Sequence, residues 1–251
     1  MNITLSLEKT ISSDVSIMVD AFRASTSIII AMNEFNEVIP AFSPEEAIEI
    51  AKKENGVLAG ERMGATLEGF DIGNSPVAIK NYTSEKKKLV LTTSNGTRIL
   101  KNMNSTVLIG AFINAKSVAK LAIEIAKKHD YNHIDVVMAG WKGSFAIEDF
   151  LASGEILYWI QNELSQSAKF DNRDNNTNKD YNSENKISEY AQSAILANND
   201  YEAVKKVIYK SRAGKGLKKL GFEKDIDFSI QKNISSNVAI YENGVLKLFN
   251  K

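Results

Sequence analysis

From the first residues to about Asn162, short β-branched runs alternate with longer segments of helical periodicity, the pattern of an α/β layered fold. SIMVD ends at Asp20 and passes through AFRAST into the apolar SIIIAM. PEEAIEIAKK has proline at its first helical position and acids in its first turn, which predicts a helix start. KLVLTTS predicts a strand, NGT a turn and RILKNM a short helix. VLIGAF and IDVVMAG predict two more strands. The first leads to AKSVAKLAIEIAKK, apolar at spacings of three and four, and the second to WKGSFA and the helical IEDFLASGEILYWI. Each unit has one form: strand, polar turn, helix. Ligands of open α/β sheets bind beyond the carboxyl ends of the strands, where such turns collect.

Residues 165–189 break the pattern, with four apolar residues in twenty-five, and predict a mobile surface loop. ISEYAQSAIL and DYEAVKKVIYKS predict helices, and GLKKLGF a helix followed by a turn. In VAIYENGVLKLF, Asn-Gly between apolar alternations predicts a closing hairpin. With no repeat of fixed period and no glycine- or proline-rich linker, residues 1–251 read as a single domain carrying the polar loop as an insertion.

Composition narrows the chemistry. The 31 basic residues balance the 31 acidic ones, so no global field exists to hold nucleic acid or an anionic membrane. Any anionic partner is expected to be small and locally bound. The absence of cysteine excludes disulfides, thiolate metal sites and cysteine nucleophiles. MNITLSLEKTISSD lacks the character of a leader, and the longest wholly apolar run is Ile28 to Met32, which predicts a cytoplasmic protein. His129 and His133 flank a strand away from the polar turns, so Ser-His-Asp and phosphohistidine mechanisms are not expected. A Walker-type phosphate loop is absent too. Carboxylates, arginines and backbone amides remain, a set suited to metal-assisted chemistry on an anion.

Four turns carry that set. VDAFRASTS, residues 19–27, ends a strand at Asp20 and sets Arg23 and three hydroxyls at a helix start. There a phosphate can meet free amides while Asp20 holds a cation or attacks phosphorus. Phe22 stands where a haloacid-dehalogenase phosphatase would have its second aspartate, which disfavours that mechanism. GERMGATLEGFDIGNSP, residues 60–76, gathers Glu61, Arg62, Glu68, Asp71 and Asn74 on a glycine-rich loop expected to fold back on itself, as the acidic wall of a magnesium and phosphate site. LTTSNGTR, residues 91–98, surrounds one glycine with hydroxyls, an amide and a guanidinium, an anion cradle. Thr93, Ser94, Asn95, Gly96, Thr97 and Arg98 are its candidate contacts. AGWKGSFAIEDF, residues 139–150, adds Lys142, Gly143 and the pair Glu148 and Asp149, of which one is expected to face the site.

Taken in order, DAFRAST, GERMGATLEGFDIGNSP, TTSNGTR, VLIGAFINAKSVA and AGWKGSFAIEDFLASGEI resemble the 2-phosphosulfolactate phosphatase family, the ComB-like proteins. SRAGKGLKKLGFEKDIDF is similar to that family's C-terminal segment. The resemblance implies a three-layer α/β/α fold with a mixed, largely parallel sheet. It also implies a magnesium-dependent phosphatase that hydrolyses 2-phospho-3-sulfolactate to 3-sulfolactate and phosphate in coenzyme M biosynthesis. Arg23, Arg62, Arg98 and Lys142 are the cations on the matching turns, and a subset of Asp20, Glu61, Asp71 and Glu148 is expected to hold the metal. Attack is expected either from Asp20 or from water, with Glu61 or a metal-bound water protonating the leaving alkoxide. The chain departs from the family pattern after the C-terminal serine. After Ser211 the chain reads Arg212, Ala213, Gly214 and Lys215 where the family has a His-Gly-Arg-like triplet, so either Arg212 or Lys215 takes the histidine's place or the activity is altered. Other readings are a phosphatase of another phosphorylated 2-hydroxy acid and a non-catalytic module binding a phosphorylated or sulfonated metabolite. A homodimer is expected as the commonest oligomer.

Overall fold

The computed structural model describes residues 1–100, 103–174 and 185–249; of residues 97–98 and 167–174 it describes the backbone alone. In chain order the elements are β1 (Asn2–Leu7), β2 (Val15–Val19), α1 (Ala24–Ala31), β3 (Glu37–Ala41), α2 (Pro44–Glu54), β4 (Val57–Arg62) and β5 (Ala65–Thr66). Then follow α3 (Pro76–Lys80), β6 (Lys88–Thr92), α4 (Gly96–Leu100), β7 (Thr106–Gly110), α5 (Ala115–Lys128), β8 (His133–Met138) and α6 (Ile147–Asp174). The chain closes with β9 (Lys186–Ile187), α7 (Glu189–Ala197), α8 (Tyr201–Lys210), α9 (Arg212–Lys219), α10 (Glu223–Ser229), β10 (Ala239–Glu242) and β11 (Val245–Leu248).

The strands form one mixed sheet in the order β5-β4-β6-β3-β11-β10-β7-β2-β8-β1-β9. Two parallel sections, β4-β6-β3 and β7-β2-β8-β1-β9, flank the antiparallel β10–β11 hairpin. The alternation of side chains along each strand makes the layers. Val15, Ile17 and Val19 of β2 and Ile134, Val136 and Met138 of β8 point into a core shared with α5 and α6. Met18 and Val137 point the other way, into a core shared with Ile28 and Ile29 of α1. Helices thus cover both faces of a mixed, largely parallel sheet, the expected three-layer arrangement. All eight residues of α1 are buried: Ile28, Ile29 and Ile30 enter the core, and the hydroxyls of Ser25 and Thr26 bond the backbone oxygens of Met18 and Ala21.

Local signals act as read. Ser43 caps α2 by accepting from Glu46 N, with Pro44 at the first position and left-handed Asn55 ending the helix. The β10–β11 turn carries Asn243 and Gly244 at φ 50° and 84°, the type I′ geometry that Asn-Gly favours. The hairpin forms as expected and lies inside the sheet. Its apolar residues Ala239 and Leu246 pack in the core, and it joins β7 to β3 at the centre of the sheet.

The predicted loop at 165–189 also needs correction. Helix α6 continues through Asp174, in a stretch that contains neither proline nor glycine to stop it. Residues 175–184 lie outside the described residues, Lys186 and Ile187 pair with β1, and α7 begins at Glu189. Among the described residues no helix is long and apolar enough to cross a membrane.

Candidate active site

The turns after β2, β4, β6 and β8 meet at a pocket of about 220 Å³. Asp20 follows the last residue of β2, and its turn is locked by Ser25, whose Oγ accepts from Asp20 N while its own N–H donates to Asp20 O, both at 2.9 Å. Asp20 Oδ1 accepts from Ala24 N at 3.3 Å. The other oxygen faces the β6–α4 turn so closely that a Cβ on Gly96 would lie 2.8 Å from it and 2.7 Å from the Ala24 methyl. A glycine is therefore required at position 96 for this approach.

Glu61, buried near the end of β4, braces two loops. Its Oε2 accepts from Gly64 N at 2.6 Å, where the β4–β5 hairpin turns with Gly64 at φ 85°, and its Oε1 accepts from Ser94 N at 2.7 Å. Asp149 does the same behind the pocket, accepting from Ala21 N at 2.8 Å and Gly140 N at 2.9 Å. It ties the turn after β2 to the turn after β8. Glu148, its neighbour at the start of α6, is buried and lines the pocket, so one of the adjacent acids faces the site and the other fastens its frame.

Burial and mutual repulsion govern these acids. Burial, reinforced by the nearby Glu61 and Glu148 charges, pushes Asp20 up to about 7, against the opposing effects of the Ala24 N–H and Arg23. Burial also raises Glu148, partly offset by hydrogen bonds, including one from the Ser211 hydroxyl, and by the Arg212 charge. Asp149 is raised well above the usual carboxylate range by burial and by Asp20 and Glu148. Three crowded acids call for a proton or a cation among them. The carbonyl oxygens of Asn74 and Asn95, both in the pocket wall, are buried without a hydrogen-bond partner among the described residues. Among those residues no trio of Asp, Glu or His is close enough to encage an ion alone. Two carboxylates, with amide oxygens at hand and room for water and substrate, are a set that magnesium accepts, and the donors fit that ion.

The opposite wall and rim are cationic and apolar. Arg23 lines the pocket but its guanidinium is engaged: it donates to Asp225 Oδ2 at 2.7 Å and to Gly64 O at 2.6 Å, and lies 4.5 Å from the Phe222 ring centre. Asp225 also accepts from Ser75 Oγ at 2.7 Å. Lys142, Arg212 and Trp141 form the rim with Met63, Leu217 and Leu220.

Of the residues expected at the site, Asp20, Arg23, Glu61, Asn74, Thr93, Ser94, Asn95, Lys142 and Glu148 line the pocket, and Gly96 packs on Asp20. The side chains of Thr97 and Arg98 lie outside the described residues. Others are elsewhere. Asp71 is exposed and accepts from Leu58 N at 2.8 Å, and Glu68 is also exposed, so the loop does not bring carboxylates 61, 68 and 71 to one point. Gly64 turns the β4–β5 hairpin instead. Arg62 is held by its own strand and by β6, donating to Glu61 O at 2.6 Å and to Thr92 Oγ1 at 3.0 Å. Gly143 N donates to Glu8 Oε1 at 2.8 Å, away from the pocket. Neither histidine is near: His129 is exposed and His133 Nε2 bonds Thr4 Oγ1 at 2.8 Å. Arg212, of the pair that might replace the missing histidine, lines the pocket, while Lys215 is exposed and absent from its wall. Nothing in the sequence around Trp141 and Asp225 marks a rim aromatic or the partner of Arg23.

An α/β sheet whose strand-end turns combine a buried acid cluster with a cationic rim defines a class: a protein for small anions, with oxygen donors for a divalent cation. Its sequence relatives make this specific. Residues 2–244 match the family described as 2-phosphosulpholactate phosphatase. The chain is 41% identical to the 2-phosphosulfolactate phosphatase of Methanothermobacter thermautotrophicus over 99% of its own length and 96% of that protein's. It is 34% identical to the enzyme of that name from Methanocaldococcus jannaschii, covering 91% of this chain and 89% of the other. A probable 2-phosphosulfolactate phosphatase of Clostridium tetani is 34% identical over 92% and 91% of the two chains. The chain belongs to the 2-phosphosulfolactate phosphatase family.

Proposed function

We propose that this protein is a magnesium-dependent phosphoric monoester hydrolase that cleaves 2-phospho-3-sulfolactate to 3-sulfolactate and phosphate, a step toward coenzyme M. The observation that carries the reading is the meeting of Asp20, Glu61 and Glu148 with Lys142 and Arg212 in one pocket. The relatives named for this activity supply the substrate.

Asp20 and Glu61 are the ligand pair in this account, because Glu61 is held by two backbone N–H groups and Asp20 is fixed by its turn. Magnesium, when bound, would supply charge neutralisation at a phosphate oxygen. Asn74 and Asn95 present amide oxygens that accept from water or substrate hydrogens, and Arg23 adds fixed positive charge to the wall. Glu148 is the proton carrier in this account: burial favours its acid form, and it lines the same pocket as Asp20 and Glu61. Asp149 keeps the two turns in register from behind.

The test is phosphate release by the purified protein and its variants. Asp20→Asn should lose at least about a hundredfold in kcat, and Glu148→Gln should slow alkyl esters far more than aryl phosphates, whose leaving groups need no proton. Asp71→Asn should stay within about twofold, since Asp71 faces Leu58 and not the pocket. No phosphate release from phosphosulfolactate by the unaltered protein would overturn the reading.

A further inference from the structure

The cations that line the pocket are not equivalent. Arg23 is tied to Asp225, Gly64 and Phe222, with 3% of its side chain exposed, so its geometry belongs to the frame. Arg212 and Lys142 are exposed, and among the described residues neither takes part in an ion pair. Both lie against the same indole. The Arg212 guanidinium carbon is 3.9 Å from the Trp141 ring centre and Lys142 Nζ is 5.1 Å from it. Stacking fixes the plane of a guanidinium while leaving its N–H edge free for a forked bond to an oxyanion. Lys142 is held beside it by a turn in which Gly140, Lys142 and Gly143 all have positive φ, at 65°, 48° and 81°. Positive groups with free donors thus stand at the mouth, and buried acids suited to a divalent cation stand at the floor.

A pocket of this kind has one use for each end. The geometry points to Trp141, Lys142 and Arg212 as the subsite for a second negative group on the leaving alcohol, a carboxylate or sulfonate, so that the site selects phosphate esters of acidic alcohols over those of neutral ones. This rests on the phosphatase reading for the floor of the pocket, but the rim assignment has its own test. Arg212 is a specificity-determining residue here, and Trp141 a positioning residue that orients it.

The experiment compares kcat/KM for phosphosulfolactate with that for isopropyl phosphate, which has the ester but no second charge. Arg212→Gln should lower this ratio by about ten- to a hundredfold, the worth of a hydrogen bond to a charged group, chiefly through KM. Arg212→Lys should restore part of it, and Trp141→Leu should lower it less than Arg212→Gln does. Trp141 also reports directly: in a Trp159→Phe background, 3-sulfolactate should quench its emission, and Arg212→Gln should weaken that binding. Hydrolysis with an unchanged ratio in Arg212→Gln would overturn the rim assignment alone. Absence of hydrolysis, with Arg212-dependent quenching by 3-sulfolactate, would uphold the rim and overturn the phosphatase reading. Absence of both would overturn both.

Discussion

Replacing Asp20 with asparagine should stabilise the metal-free protein while abolishing its chemistry. The carboxyl is 6% exposed and crowded by Glu61 and Glu148, and its pKa rises from the ordinary 3.8 to about 7. Because the folded value lies above the unfolded one, folding favours the protonated form. The group costs nothing well below 3.8, its cost grows as pH rises toward about 7, and it is constant above that. At about 1.4 kcal/mol per unit, the penalty is roughly 1 kcal/mol at about pH 4.5 and roughly 4 kcal/mol at about pH 8.5. Asparagine does not titrate, and its carbonyl can still accept from Ala24 N while its amide group meets neighbouring carboxylates. Urea unfolding in the presence of a chelator should therefore show the stability difference, variant minus parent, growing by about 3 kcal/mol between those two pH values. Magnesium should narrow the gap at the higher pH by stabilising the parent more than the variant. A difference that does not change with pH, or a variant that becomes relatively less stable as pH rises, would refute the reasoning.

Other parts of the site make their own predictions. Asp225→Ala should destabilise the protein by about 3–5 kcal/mol in urea unfolding, because it strands Arg23 in a pair whose side chains are 3% and 2% exposed. Gly96→Ala should fold, by circular dichroism, but lose at least about tenfold in phosphate release, since the new methyl would press on Asp20 Oδ2 and Ala24. Glu61→Gln should cost about 1.5–3 kcal/mol in unfolding, because an amide nitrogen would then face Gly64 N–H or Ser94 N–H in place of an oxygen.

Features governed by local rules were legible in the chain. Strand, polar turn and helix repeat along it, so the α/β class and the turns holding Asp20, Glu61, Ser94 and Glu148 followed from periodicity and from residues with strong turn preferences. Distant pairing was not legible. Arg23 finds Asp225 on α10, and Arg212 at the start of α9 finds Trp141 after β8, through tertiary packing that no local pattern encodes. The acids of residues 60–76 show the same limit: composition placed three in one loop, but backbone hydrogen bonds sent Asp71 to Leu58 and Glu61 to Gly64 and Ser94. The polar stretch after Leu164 misled because low apolar content argues against burial, whereas adding turns to a helix that is already nucleated costs far less than starting one.

The most direct measurement is phosphate release from phosphosulfolactate across a magnesium titration, run beside other phosphorylated 2-hydroxy acids. A magnesium-dependent phosphosulfolactate phosphatase should show no release in chelator, activity that saturates with magnesium, and the highest kcat/KM for phosphosulfolactate. Release that persists in chelator, or a different phosphorylated acid turned over more efficiently, would contradict that assignment.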